Sequence, residues 1–178
     1  MKKQFDAQSR HYTLCVLTQD IPGVLSQVAR LFSRKGYNIE SIVTGATDRS
    51  GLARLSIELI ADERKIEQIA FQCRKLIPVL AVQVLDREKS IHREIALIKV
   101  RTRDRDGREE VIQIANIFRS SIIDVSTGSL TIALIGDESK AEAIQNLLGE
   151  FGILELVRTG MVALERGQYT IDEQTKEK

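Results

Sequence analysis

The sequence has no tryptophan, and its aromatic residues are five phenylalanines and three tyrosines, poor stock for stacking on bases or sugars. Cysteine is equally scarce. Cys15 and Cys73 stand far apart, each among apolar residues, so neither a CxxC redox pair nor a zinc site can be built from them, and both read as buried thiols. His11 and His92 have no second ligand in local spacing, and no metal site is expected. Neither sign of charge is in excess: 26 Lys and Arg face 25 Asp and Glu, a net charge of +1 that provides no field to draw nucleic acid or anionic lipid. No apolar run reaches the roughly 18 residues of a membrane span, and Met1–Arg10 lacks a signal-peptide core. These absences predict a cytoplasmic protein with no nucleic-acid or membrane partner, whose binding resides in a local site.

What is present is a globular composition, 43% hydrophobic and 29% charged over 178 residues, enough for one medium or two small domains. The periodicity decides between them. Tyr12–Thr18 is a short apolar strand, after which Val24, Leu25, Val28, Leu31 and Phe32 fall on one helical face that Gly36 ends. Asn38–Thr47 reads as a strand, and the alternating Arg54–Leu59 pairs with it across the turn Asp48–Gly51. Ile66, Ile69, Ala70, Cys73, Leu76 and Ile77 mark a second helix before Pro78, and Val79–Leu85 a last strand. The order then repeats: strand Ile95–Val100, a helix carrying Val111, Ile114, Ala115 and Phe118, a hairpin of Ile122–Ser126 and Leu130–Ile135, a helix carrying Ala141, Ile144, Leu147, Leu148 and Phe151, and a closing strand Ile153–Leu164.

This predicts an α+β protein of two consecutive ferredoxin-like βαββαβ domains, at 1–85 and 94–166, joined by a linker at 86–93 and followed by a loose polar tail at 167–178. Two helices cover only one face of each sheet. Apolar positions such as Cys15, Ile42 or Ala133, if they point to the other face, are expected to be covered by another copy of the chain.

The catalytic inventory is empty of recognisable motifs: no nucleophile elbow, HExxH, Walker A loop or GxGxxG occurs. Paired carboxylates at Asp62-Glu63 and Glu109-Glu110 sit at helix starts, where they complement the macrodipole. The run Arg101–Arg108 carries acidic residues among its arginines and no aromatic, and reads as a solvated loop. Thr18–Leu25 is more informative. A glycine between a strand end and a helix start lets backbone amides approach a ligand, and the helix N-terminus favours a carboxylate, which suits a free amino acid. Spacing alone leaves a second reading open, in which Asp20 caps the helix and Pro22-Gly23 makes a turn.

The stretch Pro22-Gly23-Val24-Leu25, followed by Leu31–Ser41 with its Gly36-Tyr37-Asn38-Ile39-Glu40-Ser41, resembles the small subunit of acetolactate synthase. Arg93-Glu94-Ile95 with Gly107–Val111, and Ile117-Phe118-Arg119 with Ile122–Val125, resemble that family's C-terminal domain in order and spacing. The likeness covers about residues 11–167. It implies that the first domain is an ACT domain and that the chain is a non-catalytic regulatory subunit of branched-chain amino acid biosynthesis. Such a subunit binds the large catalytic subunit, activates it and confers feedback inhibition by valine, leucine or isoleucine. No cofactor is then expected in this chain; thiamine diphosphate, Mg and FAD are expected in the catalytic partner. The family's effector lies between the ACT domains of a homodimer, which carries over to Asp20, Gly23 and Asn38, with Val24 and Ile39 beside them. Asp20 stands where the family usually has asparagine; it can accept from an ammonium group but repels a carboxylate.

Three other functions compete. A stand-alone amino-acid-binding module would regulate a different enzyme or a transcription factor. An RNA-binding sheet calls for aromatics on a central strand, and Arg54–Ile60 has none. An acylphosphatase-like enzyme calls for an arginine in its phosphate loop, and Thr18–Gly23 has none.

Overall fold

A computed structural model describes residues 10–171. Their contacts divide into two compact units, one of residues 10–91 together with 161–171 and the other of residues 92–160.

The first unit contains β1 (Arg10–Gln19), α1 (Val24–Lys35), β2 (Ser41–Ala46), β3 (Leu52–Ala61), α2 (Glu63–Arg74) and β4 (Val79–Leu85). All pairings are antiparallel, in the order β2-β3-β1-β4. Strand alternation sends Leu14 and Val16 of β1 with Leu55, Ile57 and Leu59 of β3 to one face, where Val28 and Phe32 of α1 and Ile66, Ile69 and Cys73 of α2 close a core. Gly36 ends α1 at φ 69°, its N–H bonded back to the carbonyls of Phe32 and Ser33. Asp62 caps α2, accepting from the Lys65 N–H.

The opposite face is also covered, and by the chain itself. Cys15 and Leu17 of β1 and Ala81 and Leu85 of β4 are buried against Ala163 and Ile171. Ala163 belongs to a short strand, β9 (Val162–Glu165), held by an N–H of Arg166 on the Lys89 carbonyl at 2.8 Å and by the Arg54 guanidinium on the Ala163 carbonyl at 2.9 Å. A second copy is therefore not what buries Cys15. Within the stretch expected to be a loose tail, residues 167–170 are exposed while Ile171, 6% exposed, packs on this face; the rest of that stretch, 172–178, lies outside the described residues.

The second unit repeats the topology with β5 (Ser90–Arg101), α3 (Arg105–Ile117), β6 (Ser121–Val125), β7 (Ser129–Gly136), α4 (Glu138–Gly149) and β8 (Ile153–Arg158). The sheet order is β6-β7-β5-β8. Ala96, Ile98, Val100, Leu130, Ile132 and Leu134 face Val111, Ala115, Ile144 and Leu148. Asp104 and Asp137 cap α3 and α4. Glu94, nearly fully buried, is held by Arg158 of the neighbouring strand.

Several boundaries move. The expected linker shrinks to a turn at Asp86–Lys89, stitched by the Lys89 N–H on the Asp86 carbonyl, and Ser90–Arg93 already lie in β5. The closing strand breaks after Arg158, where Gly160 takes φ 84° and redirects the chain, so that residues 161–166 pack on the first unit. Asn38–Glu40 precede β2 instead of belonging to it. α2 stops at Arg74, so Ile77, expected on its core face, is 96% exposed. No helix among the described residues is long and apolar enough to cross a membrane.

Candidate functional site

The loop from β1 to α1 is pinned by neighbouring loops. The Gln19 N–H donates to the Pro78 carbonyl at 2.9 Å and the Asp20 N–H to the Gly51 carbonyl at 2.8 Å, while the Thr18 hydroxyl also donates to Pro78. Gly23, with φ 88° and ψ −5°, is itself the N-cap of α1, and no side chain caps the helix. Asp20 stands three residues before this position, exposed, so the capping reading of Asp20 fails. The Val24 N–H makes only a long bond of 3.4 Å to the Ile21 carbonyl, and the first turn holds no acidic residue. The orphan amides of Leu25 and Ser26 and the positive end of the dipole are therefore left to an external acceptor. A Cβ on Gly23 would meet nothing within 4 Å, so the space above this terminus is open.

The five candidate residues differ in what they can present. Asp20, Gly23 and Asn38 are exposed. The side chain of Val24 is buried, leaving its backbone at the surface site, and Ile39 packs on the core of the first unit. Asn38 Nδ2 donates to Glu40 Oε1 at 2.6 Å. Close by, the Ser41 Oγ is buried with no hydrogen-bond partner among the described residues. Sequence reasoning passed over Glu40 and Ser41, although both stand in the same segment as Asn38.

Distance separates the two halves of the candidate set. Asp20–Val24 precede α1 and Asn38 follows it, and twelve residues of helix span about 18 Å. The strand register agrees. Ser41 is level with Glu58 and, through β3, with Thr13 at the start of β1, whereas Ala46 is level with Ala53 and Thr18 near its end. One protomer cannot close Gly23 and Asn38 on a single amino acid. Two protomers can: β2 is an edge strand, and a two-fold beside it would run the second β2 antiparallel to the first. Such an arrangement would bring the Asp20 end of one copy to the Asn38 end of the other.

Among the described residues no group of three His, Cys, Asp or Glu is placed to hold a metal ion. Burial drives up the pKa of both thiols, that of Cys73 to about 12, so neither is poised as a nucleophile.

The model for the AHAS small subunit-like ACT domain matches residues 14–81, and that for the small subunit of acetolactate synthase matches residues 93–167. The acetolactate synthase small subunit of Mycobacterium bovis is 47% identical over 156 residues, which cover 88% of this chain and 92% of that protein. A probable acetolactate synthase small subunit of Methanothermobacter thermautotrophicus is 42% identical over 160 residues, 90% of this chain and 95% of that protein. The crystal structure of the small subunit from Thermotoga maritima superposes with a TM-score of 0.84 at 41% identity, covering 90% of this chain and 99% of that one. With both halves of the chain matched in order and at this identity, the chain belongs to the family of acetolactate synthase small subunits.

Proposed function

We propose that this chain is a non-catalytic regulatory subunit that binds the catalytic subunit of acetolactate synthase, raises its activity, and lowers it again when valine or another branched-chain amino acid binds between the first domains of two copies. Thiamine diphosphate, Mg and FAD belong, on this reading, to the catalytic partner. The observation that carries the proposal is the separation of Asp20–Val24 from Asn38 by the length of α1, together with the unpaired edge of β2. An effector carboxylate meets the uncapped amides of Leu25 and Ser26 beside Gly23, while its ammonium group meets Asp20 and the Asn38 carboxamide of the other copy.

Subunit mixing tests this directly. Asn38→Ala removes one half of each site, and Asp20→Leu removes the other. Each variant alone should lose effector binding by calorimetry with valine, leucine or isoleucine. A refolded mixture should contain heterodimers in which one site carries both lesions and the other none, so binding returns at roughly one site per heterodimer. A mixture as silent as its parents would place both residues of a site on one protomer and overturn the geometry. Failure to raise pyruvate turnover by the purified catalytic subunit would overturn the regulatory reading.

A further inference from the structure

The covered face of the first sheet contains a space that the effector reading does not use. A cavity of about 530 Å³ is lined on the sheet side by Leu17, Leu52 and Arg54 and on the covering side by Leu164 and Ile171, within the size range that admits small organic ligands. Arg54 is its unusual member. One guanidinium nitrogen donates to the Ala163 carbonyl at 2.9 Å, but Nε is buried with no hydrogen-bond partner among the described residues. Among the described residues Arg54 has no ion pair either. Two nearby carboxylates are engaged elsewhere: Glu58 accepts from the Thr13 hydroxyl, and Glu165 accepts from Gln83, a side chain only 3% exposed. Partial burial of a guanidinium with one N–H unpaired is costly, and an acceptor entering the cavity would offset that cost.

We propose that this cavity is a ligand site in its own right, taking a small organic anion whose single carboxylate or phosphate group supplies the counter-charge to Arg54 and whose apolar body lies against Leu17, Leu52 and Leu164. Arg49 also lines the cavity and adds a second cation. Asp48 and Glu165 line it too, which disfavours ligands with further anionic groups. The inference is independent of the effector reading, since none of Asp20, Gly23 or Asn38 lines this space.

The test is titration of the full chain with hexanoate and, separately, phenyl phosphate, followed by amide chemical shifts. The proposal expects saturable shifts confined to the cavity-lining residues, with the better-bound probe identifying the head group. Arg54→Met should weaken that probe by roughly tenfold or more. Leu164→Trp, at an exposed position, should weaken it by filling the space without touching Arg54. No saturable shift with either probe up to about 10 mM overturns the proposal. So does unchanged binding in a folded Arg54→Met chain or, if that variant does not fold, in Leu164→Trp.

Discussion

Replacing Ile171 by alanine probes the least expected part of the fold, the covering of the first sheet by a segment that sequence reading leaves loose. Ile171 is 6% exposed and packs with Cys15, Leu17, Ala81, Leu85 and Ala163. The change deletes three carbons at about 0.8 kcal/mol each, and partial collapse of the segment limits the cavity left behind, so the loss is about 2–3 kcal/mol, at the low end for isoleucine truncations. Cys15 supplies a local assay, because it lies under this segment whereas Cys73 lies in the core on the other face. If the segment opens on its own, a thiol reagent should attack Cys15 roughly 30- to 140-fold faster in Ile171→Ala, the Boltzmann equivalent of that loss. Burial is also the leading cause of the raised Cys15 pKa, so the closed form is unreactive and the rate reports the opening equilibrium. Cys73 should not change. Equal acceleration of both thiols would mean that the segment unfolds only with the whole unit, and no acceleration would mean that Ile171 does not cover this face.

Gly23→Ala should cost about 1 kcal/mol in urea unfolding, because φ 88° is strained for any residue with a Cβ, even though the added carbon meets no atom within 4 Å; effector titrations of any Gly23 variant need this stability control. Asp20→Asn should tighten valine binding in calorimetry, since it removes a negative charge from a site built for a carboxylate; weaker binding would show that the ammonium contact outweighs the repulsion. Asp137 caps α4, and the Lys140 N–H and then the Ser139 hydroxyl hold its carboxyl below the usual carboxylate range. A lowered folded-state pKa gives stability that is present above the ordinary carboxylate pKa and disappears as pH falls through the folded value. Asp137→Ala should therefore cost about 1 kcal/mol at neutral pH and progressively less below about pH 4, read from unfolding midpoints across pH.

The duplicated βαββαβ order was legible because each element carries its own period: alternation in Arg54–Leu59, three- and four-residue spacing from Ile66 to Cys73, and glycine at the end of α1. The break after Arg158 was not legible. The stretch 153–164 reads as continuous strand by composition, and only the φ of 84° at Gly160 shows that the chain turns there. Ile77 was misplaced for a related reason. Its spacing continues the helical series, but the restriction that Pro78 imposes on the preceding backbone and the C-cap at Lys75 end the helix first. The candidate loop was visible as a glycine before a helix, and the resemblance implied a homodimer; what spacing did not give is the separation of Gly23 from Asn38, which follows from the length of α1 and from the register that sets Ser41 level with Thr13 and Ala46 level with Thr18.

The two units also show why one topology can lead to different chemistry on the sheet face opposite its helices. In the second unit that face carries Lys99 bonded to Glu155 across β5 and β8 at 2.9 Å, both well exposed. Water solvates both charges, so neither needs the other to offset a loss of hydration. In the first unit the corresponding face lies under β9 and Ile171, and its cation, Arg54, is held by a backbone carbonyl and makes no ion pair among the described residues. Covering the sheet buries Cys15 and Leu17 favourably but takes water from Arg54. The same segment that completes the core therefore creates the demand for an anion, and a ligand that meets this demand would stabilise the segment as it binds.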